Sequence, residues 1–262
     1  MKKSSFSEDT NRIVPVWLAQ VLNYASSLLG DVNSFQSPPK SLSMENIGTG
    51  KGFINQILRI RIDDFEKSPD VPESVILKLP SKDPSLVSMS EKLGNREREA
   101  RFYSDVAGQA NVHTPGIYFN GVDMSTGYPI LVMEDMGNYR QGDSVKGCSL
   151  YDARSAIVEL GNFHSYWWNN ERLDALDWVP IRDSEADIYL EIYPEAWRIF
   201  LEKSGDNITG YLKAIGGKLP EHIRHIKKEL ARPPSTLLHG DYRLDNCFLG
   251  DSGKYSSIAI FD

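Results

Sequence analysis

Strand-type and helix-type patterns are segregated along this chain, and that segregation limits the fold more than any other feature. Up to about residue 137 the apolar residues come as alternations or short bursts. Leu58, Ile60 and Ile62 alternate with Arg59 and Arg61, "ESVILKLP" stops at Pro80, Pro115-Gly116 opens "GIYFNGV", and "YPILVMED" follows. Alternation with period two marks a half-buried strand, and a short unbroken apolar run marks a buried one. Two helical patterns interrupt this region. Leu18, Val21, Leu22, Ala25, Leu28 and Leu29 recur at helical spacing after Pro15, with Gly30 as the stop, and "SEKLGNREREARFYSDVAGQ" is one charged, helix-favouring segment bounded by Gly108.

Past the polar stretch "MGNYRQGDSVKG" the pattern turns helical. Ser149 and Asp152 have capping-box spacing ahead of Ala156, Ile157, Leu160, Phe163, His164 and Trp167 on one face. Further helix is expected over 188–203 and 221–230, then a short β segment. Strands gathered in one part and helices in another predict an α+β protein. The boundary falls near Gly137, dividing residues 1–137 from residues 138–262.

Composition excludes several classes. At 262 residues, 40% hydrophobic and 25% charged, the chain has the makings of a substantial core and does not read as disordered. A net charge of −7 without a long basic run argues against a nucleic-acid partner. No stretch approaches the ~18 apolar residues of a membrane span, and polar Ser4 to Arg12 stands where a signal peptide needs an apolar run. Cys148 and Cys247, far apart and in no C-x-x-C pair, support neither a disulfide framework nor a zinc site. A cytoplasmic protein is expected; oligomeric state is not legible.

The densest chemistry is in "LLHGDYRLDNCFLGDSGKYSSIAIFD". His239-Gly240-Asp241 followed by Asn246 gives H-x-D-x-x-x-x-N, the spacing of a phosphotransfer catalytic loop. A carboxylate beside an attacking hydroxyl orients it and takes its proton, and a neutral amide oxygen is a hard ligand for Mg2+. Asp262, after the buried-strand run Ile258 to Phe261, would add an anionic metal ligand. Taken singly, Asp241, Asp245, Asp251 and Asn246 are also ordinary turn formers.

Upstream residues weigh the same question. Lys78 lies inside an apolar strand, where an ammonium needs an anion, and Glu99 is its natural partner, with Glu97 the fallback. The bland alternative is a solvent-facing lysine on an edge strand. Gly48-Thr49-Gly50-Lys51-Gly52, between two strand patterns, would form a bend whose backbone N–H groups close over phosphates, though it is no complete phosphate-binding signature. "YPILVMEDMG" should end in a linker whose backbone, from Glu134 to Met136, can hydrogen-bond an adenine edge. His222 and His225 read as a solvated basic face, His164 as a packed core histidine, and Asp143 as a weak candidate for ribose or substrate. There is no Gly-x-Ser-x-Gly elbow for a serine hydrolase.

With "GTGKGFINQILRIRI", "VILKLP", "REARFY", "LVMEDM", "GDSVKGCS", "LGNFHSYWW" and "HGDYRLDN" in order, the chain resembles the aminoglycoside phosphotransferase and choline kinase superfamily, in its ecdysteroid-kinase-like branch. The resemblance implies a two-lobed protein-kinase-like fold with a β-rich N-lobe and a helical C-lobe, and ATP and Mg2+ in the cleft. Lys78 would touch the phosphates, Glu99 would hold Lys78, Asp241 would be the base, Asn246 and Asp262 would bind metal, and His239 would support the loop. The activity implied is transfer of the γ-phosphoryl group of ATP to a hydroxyl of a small organic molecule. The alternative is a catalytically inactive kinase-like binding protein or a non-functional fragment. Superfamily members continue past the second metal-binding aspartate, so a truncated C-lobe is expected here.

Overall fold

The computed structural model describes residues 2–4, 17–22, 41–47, 55–63, 72–81, 83–92, 97–123, 127–180, 186–252 and 255–261. The chain divides into two compact units, Met1–Phe163 with His239–Asp262, and His164–Leu238.

The first unit is built on a six-stranded sheet. Its strands are β1 (Lys2–Ser4), β2 (Ser41–Asn46), β3 (Asn55–Asp63), β4 (Ser74–Pro80), β5 (Ile117–Asp123) and β6 (Pro129–Glu134), in the order β1-β5-β6-β4-β3-β2. Every pairing is antiparallel except that of β1 with β5. Strand alternation sorts the side chains onto two faces. Val75, Leu77 and Leu79 of β4 join Leu58, Ile60, Phe119, Ile130 and Val132 on one face, covered by Leu18, Ala19, Val21 and Leu22 of helix α1 (17–22). Ile76, Leu131 and Met133 face the other way and pack on Ala100 and Tyr103 of helix α3 (Arg98–Asp105). Each fully buried side chain of this kind contributes about 1.5–3 kcal/mol. β4 is therefore buried on both faces, which is why "VILKL" reads as an unbroken run.

A second, three-stranded antiparallel sheet holds β7 (Arg140–Gln141), β8 (Cys247–Ser252) and β9 (Tyr255–Ile260) in the order β7-β8-β9. Cys247, Leu249, Ile258 and Ile260 pack against Ala156 of helix α4 (Leu150–Trp167). The backbone N–H of Ile260 donates to His113 O at 2.9 Å, so the late hairpin is stitched to a loop just before β5. α4 starts with a reciprocal capping box: Asp152 N donates to Ser149 Oγ at 3.1 Å and Ser149 N to Asp152 Oδ2 at 3.3 Å.

The second unit contains helices α5 (Ala186–Ser204) and α6 (Gly210–Leu230). Tyr193, Trp197 and Phe200 of α5 stack in series, and Tyr193 Oη donates to Gly216 O of α6 at 2.8 Å. Thr209 caps α6, its Oγ1 accepting from Leu212 N.

Several sequence expectations are corrected. The single charged helix is two, α2 (Pro84–Lys92) and α3. α2 starts upstream of the charged segment, at a proline suited to a first turn, behind Asp83, whose Oδ1 accepts from Ser85 N and Oγ. Residues 93–96 lie outside the described residues. On α4 the buried line runs Asp152, Ala156, Phe163, Trp167, whereas Ile157 is 65% exposed. One residue past Ala156 is ~100° around the helix, beyond the narrow strip that β8 and β9 cover. His164 is only half-buried. α6 begins at Gly210 rather than near Glu221: Gly216, Gly217 and Pro220 hide it from propensity, and the packing of Trp197 over Gly216 overrides them. Of the opening helix, Ala25, Leu28, Leu29 and Gly30 lie outside the described residues.

Candidate active site

Lys78 sits on interior strand β4, between Ile57 of β3 and Leu131 of β6, on the face that packs on α3. Its Nζ lies 2.6 Å from Glu99 Oε2, with the two side chains 10% and 15% exposed. An ammonium this far from water requires a close anion. The edge-strand alternative is thereby excluded, and Glu99 rather than Glu97 is the partner; Glu97 is exposed and its carbonyl accepts from Arg101 N at the start of α3. α3 is itself pinned to β5, where Asn120 Nδ2 donates to Ala100 O at 2.7 Å and to Ser104 Oγ at 2.9 Å. Glu99 is thus held in reach of Lys78 from both ends of the contact.

Asp241 and Asn246 are also brought together. Gly240 takes φ +92°, a left-handed conformation that glycine adopts without strain, and turns the chain so that Asp241 is exposed. Asn246, buried at the end of a short 3-10 turn (Leu244–Asn246), donates from Nδ2 to Asp241 O at 2.9 Å and Oδ2 at 3.2 Å. Arg243 Nε donates to the same Oδ2 at 3.1 Å. His239 lies edge-on to Tyr242, whose hydroxyl donates to Ala156 O at 2.7 Å and anchors the loop on α4. Burial, with the neighbouring Cys247, raises the Tyr242 pKa, and burial raises that of Cys247, so both stay protonated at neutral pH.

The segment after the linker is laced to this loop in a way the sequence did not disclose. Gln141 Nε2 donates to Asp245 O at 3.1 Å, Gly142 N to Cys247 O at 2.9 Å, and Ser144 Oγ to Asp245 Oδ2. The Ser144 bond holds the Asp245 carboxyl below its ordinary range. A Cβ on Gly142 would meet Leu244 O at 2.1 Å, so this close backbone approach requires glycine.

In the linker, Glu134 N donates to Gly116 O at 2.8 Å and Gly116 N donates back to Glu134 Oε2 at 3.0 Å. Met136 is buried, and its carbonyl accepts from Tyr139 N. Asp135 between them is bound from two strands: Arg59 Nε at 2.7 Å and Nη2 at 3.2 Å, and Ser74 Oγ at 2.6 Å. Burial alone would raise its carboxyl pKa, but the Arg59 and Ser74 contacts outweigh burial and hold it below the ordinary range. The sequence reading missed this carboxylate.

Gly48, Gly50 and Asp262 lie outside the described residues, although Phe261 N donates to Asn246 O at 3.2 Å, so the chain passes beside Asn246 one residue earlier. Asp143 Oδ1 accepts from Val145 N and Lys146 N and closes a local turn. His222 and His225 are exposed on α6, and no group of three or more potential metal-binding side chains occurs among the described residues. No helix among the described residues is long and apolar enough to cross a membrane.

The sequence model of the ecdysteroid kinase-like family matches residues 49–262. The chain belongs to that family. Among solved structures it is similar to the GDP complex of a point mutant of aminoglycoside 2′-phosphotransferase-IIIa, at 18% identity and a TM-score of 0.52, covering 92% of this chain and 70% of the other. The GDP complex of the wild-type aminoglycoside 2′-phosphotransferase-IIIa is similar at 17% identity and a TM-score of 0.52, covering 92% and 71%. At these identities the likeness concerns the fold, which is that of the kinase-like phosphotransferases. A search of curated proteins by sequence finds no match.

Proposed function

We propose that this chain is an ATP-dependent phosphotransferase that moves a γ-phosphoryl group to a hydroxyl of a small organic molecule. The observation that carries the reading is the Lys78–Glu99 ion pair on a strand buried on both faces. Lys78 would meet the nucleotide phosphates, and Glu99 would fix its direction. Residues 1–137 would hold base and phosphates through Gly48, Gly50, Lys78 and the linker backbone at Glu134 and Met136, while residues 138–262 would supply Asp241, Asn246 and Asp262. The two distant cysteines suit a cytoplasmic setting.

The donor set fits a hard divalent cation. Asn246 is buried with its amide nitrogen donating to Asp241, and its amide oxygen is a hard neutral donor of the type a divalent cation takes. Asn246 and Asp262 would hold Mg2+, which when bound neutralises charge on the phosphoryl oxygens. Asp241 accepts the proton of the attacking hydroxyl as its oxygen bonds to phosphorus, and the bond to the departing ADP breaks.

Asp241→Asn removes the proton acceptor and spares the phosphate contacts. Mg·ATP binding by calorimetry is expected within about twofold of the parent, with transfer to any accepted hydroxyl reduced by about 100-fold or more. Unchanged transfer would reject Asp241 as the base. Binding without transfer by the parent itself would leave a nucleotide-binding module, and no Mg·ATP binding would reject the proposal.

A further inference from the structure

All three side chains of the linker are committed to the protein. Glu134 is tied to Gly116, Met136 is buried, and Asp135, its side chain 8% exposed, is tied to Arg59 and Ser74, with the backbone of Gly137 adding a further bond. A carboxylate withdrawn this far from water and given a two-pronged guanidinium, a hydroxyl and a backbone N–H is a costly arrangement unless its geometry matters. Arg59 stands on β3, the strand that follows the glycine-rich sequence 48–54 in the chain. Ser74 opens β4, the strand that carries Lys78. One side chain therefore fastens the linker to both strands that serve the phosphate end.

We infer that Asp135 is a positioning residue that sets the linker backbone, where a nucleobase would dock, at a fixed distance from the phosphate-binding strands. This rests on the nucleotide reading above. It adds that the carboxylate acts through the backbone it holds and touches neither base nor phosphate. A ligand with a base then depends on Asp135, and a ligand with only phosphates does not.

The test uses the 262-residue chain and two probes titrated separately by calorimetry, adenosine and Mg·tripolyphosphate. Asp135→Asn keeps shape and removes the charge that fixes the Arg59 fork; adenosine affinity is expected to fall about tenfold while tripolyphosphate affinity stays within about twofold. A merely structural role would lower both together, and equal losses, or no loss for either probe, would overturn the inference. If Asp135→Asn abolishes cooperative melting, Ser74→Ala decides instead: it leaves the ion pair, deletes one bond, and is expected to weaken adenosine alone by about threefold. A parent chain that binds neither probe nor Mg·ATP would fail at the earlier step, rejecting the nucleotide reading and this inference with it.

Discussion

Lys78 shows how a single residue type, read against its surroundings, points to a partner elsewhere in the chain. A lysine with Leu77 and Leu79 on either side has few ways to keep its charge, and an acidic partner on a neighbouring element is the cheapest. The pairing with Glu99 was legible because the anomaly is local: one charge inside an apolar run. The Asp135–Arg59 contact was not, because both residues look ordinary in place and they lie 76 positions apart. Its consequence is measurable through pH. The folded-state pKa of Asp135 is depressed, so its ionic contacts contribute stability that is fully present above the unfolded value of ~3.9 and is lost as pH falls through the folded value. The stability gap between parent and Asp135→Asn, measured by urea unfolding, should be constant near neutrality and shrink on acidification below about pH 4. A gap that ignores pH would mean that shape, not ionisation, holds the linker.

At the scale of elements, strands were read more surely than helices. Alternation at Leu58, Ile60 and Ile62 and the bounded run "VILKLP" located β3 and β4, since a strand's pattern repeats within a few residues. The H-x-D-x-x-x-x-N spacing anticipated the contact between Asp241 and Asn246 for a related reason: the two residues are only five positions apart. Helices failed where packing decided against propensity. β1 has only three residues and no pattern to read. α6 runs through Gly216 because the Trp197 ring occupies the space a side chain would need; a Cβ there would meet the ring at 2.2 Å. Gly216→Ala should therefore destabilise the α5–α6 contact by about 1–3 kcal/mol in spite of alanine's better helix propensity. A thermal melt that rises on this substitution would show that Trp197 moves aside at little cost.

Over the whole molecule, several large apolar side chains stand exposed among the described residues. Val145 is 97% exposed, Leu150 91% and Tyr211 75%, and Ile157, Val158, Trp168 and Leu212 are each more than half exposed. Isolated exposed apolar residues are normal, but α4 alone presents Leu150, Tyr151, Ile157 and Val158. The folded 262-residue chain is expected to enhance ANS fluorescence and to elute above its monomer mass in size-exclusion chromatography. A dye-negative monomer would show that these side chains are covered in solution.

The first unit is discontinuous, since Met1–Phe163 is completed by His239–Asp262 only after His164–Leu238 has intervened. A ribosome delivers chain in one direction at roughly 5–20 residues per second, so the intervening segment takes on the order of 4–15 s to make. Through that interval Lys78 and Glu99 are already synthesised, and the strand and helix that hold them are free to pack. Asp241 and Asn246 do not yet exist. A nascent chain therefore has the residues proposed to grip phosphate before it has the one proposed to take the proton of the attacking hydroxyl, so the proposed transfer would have to wait for the last segment to be made.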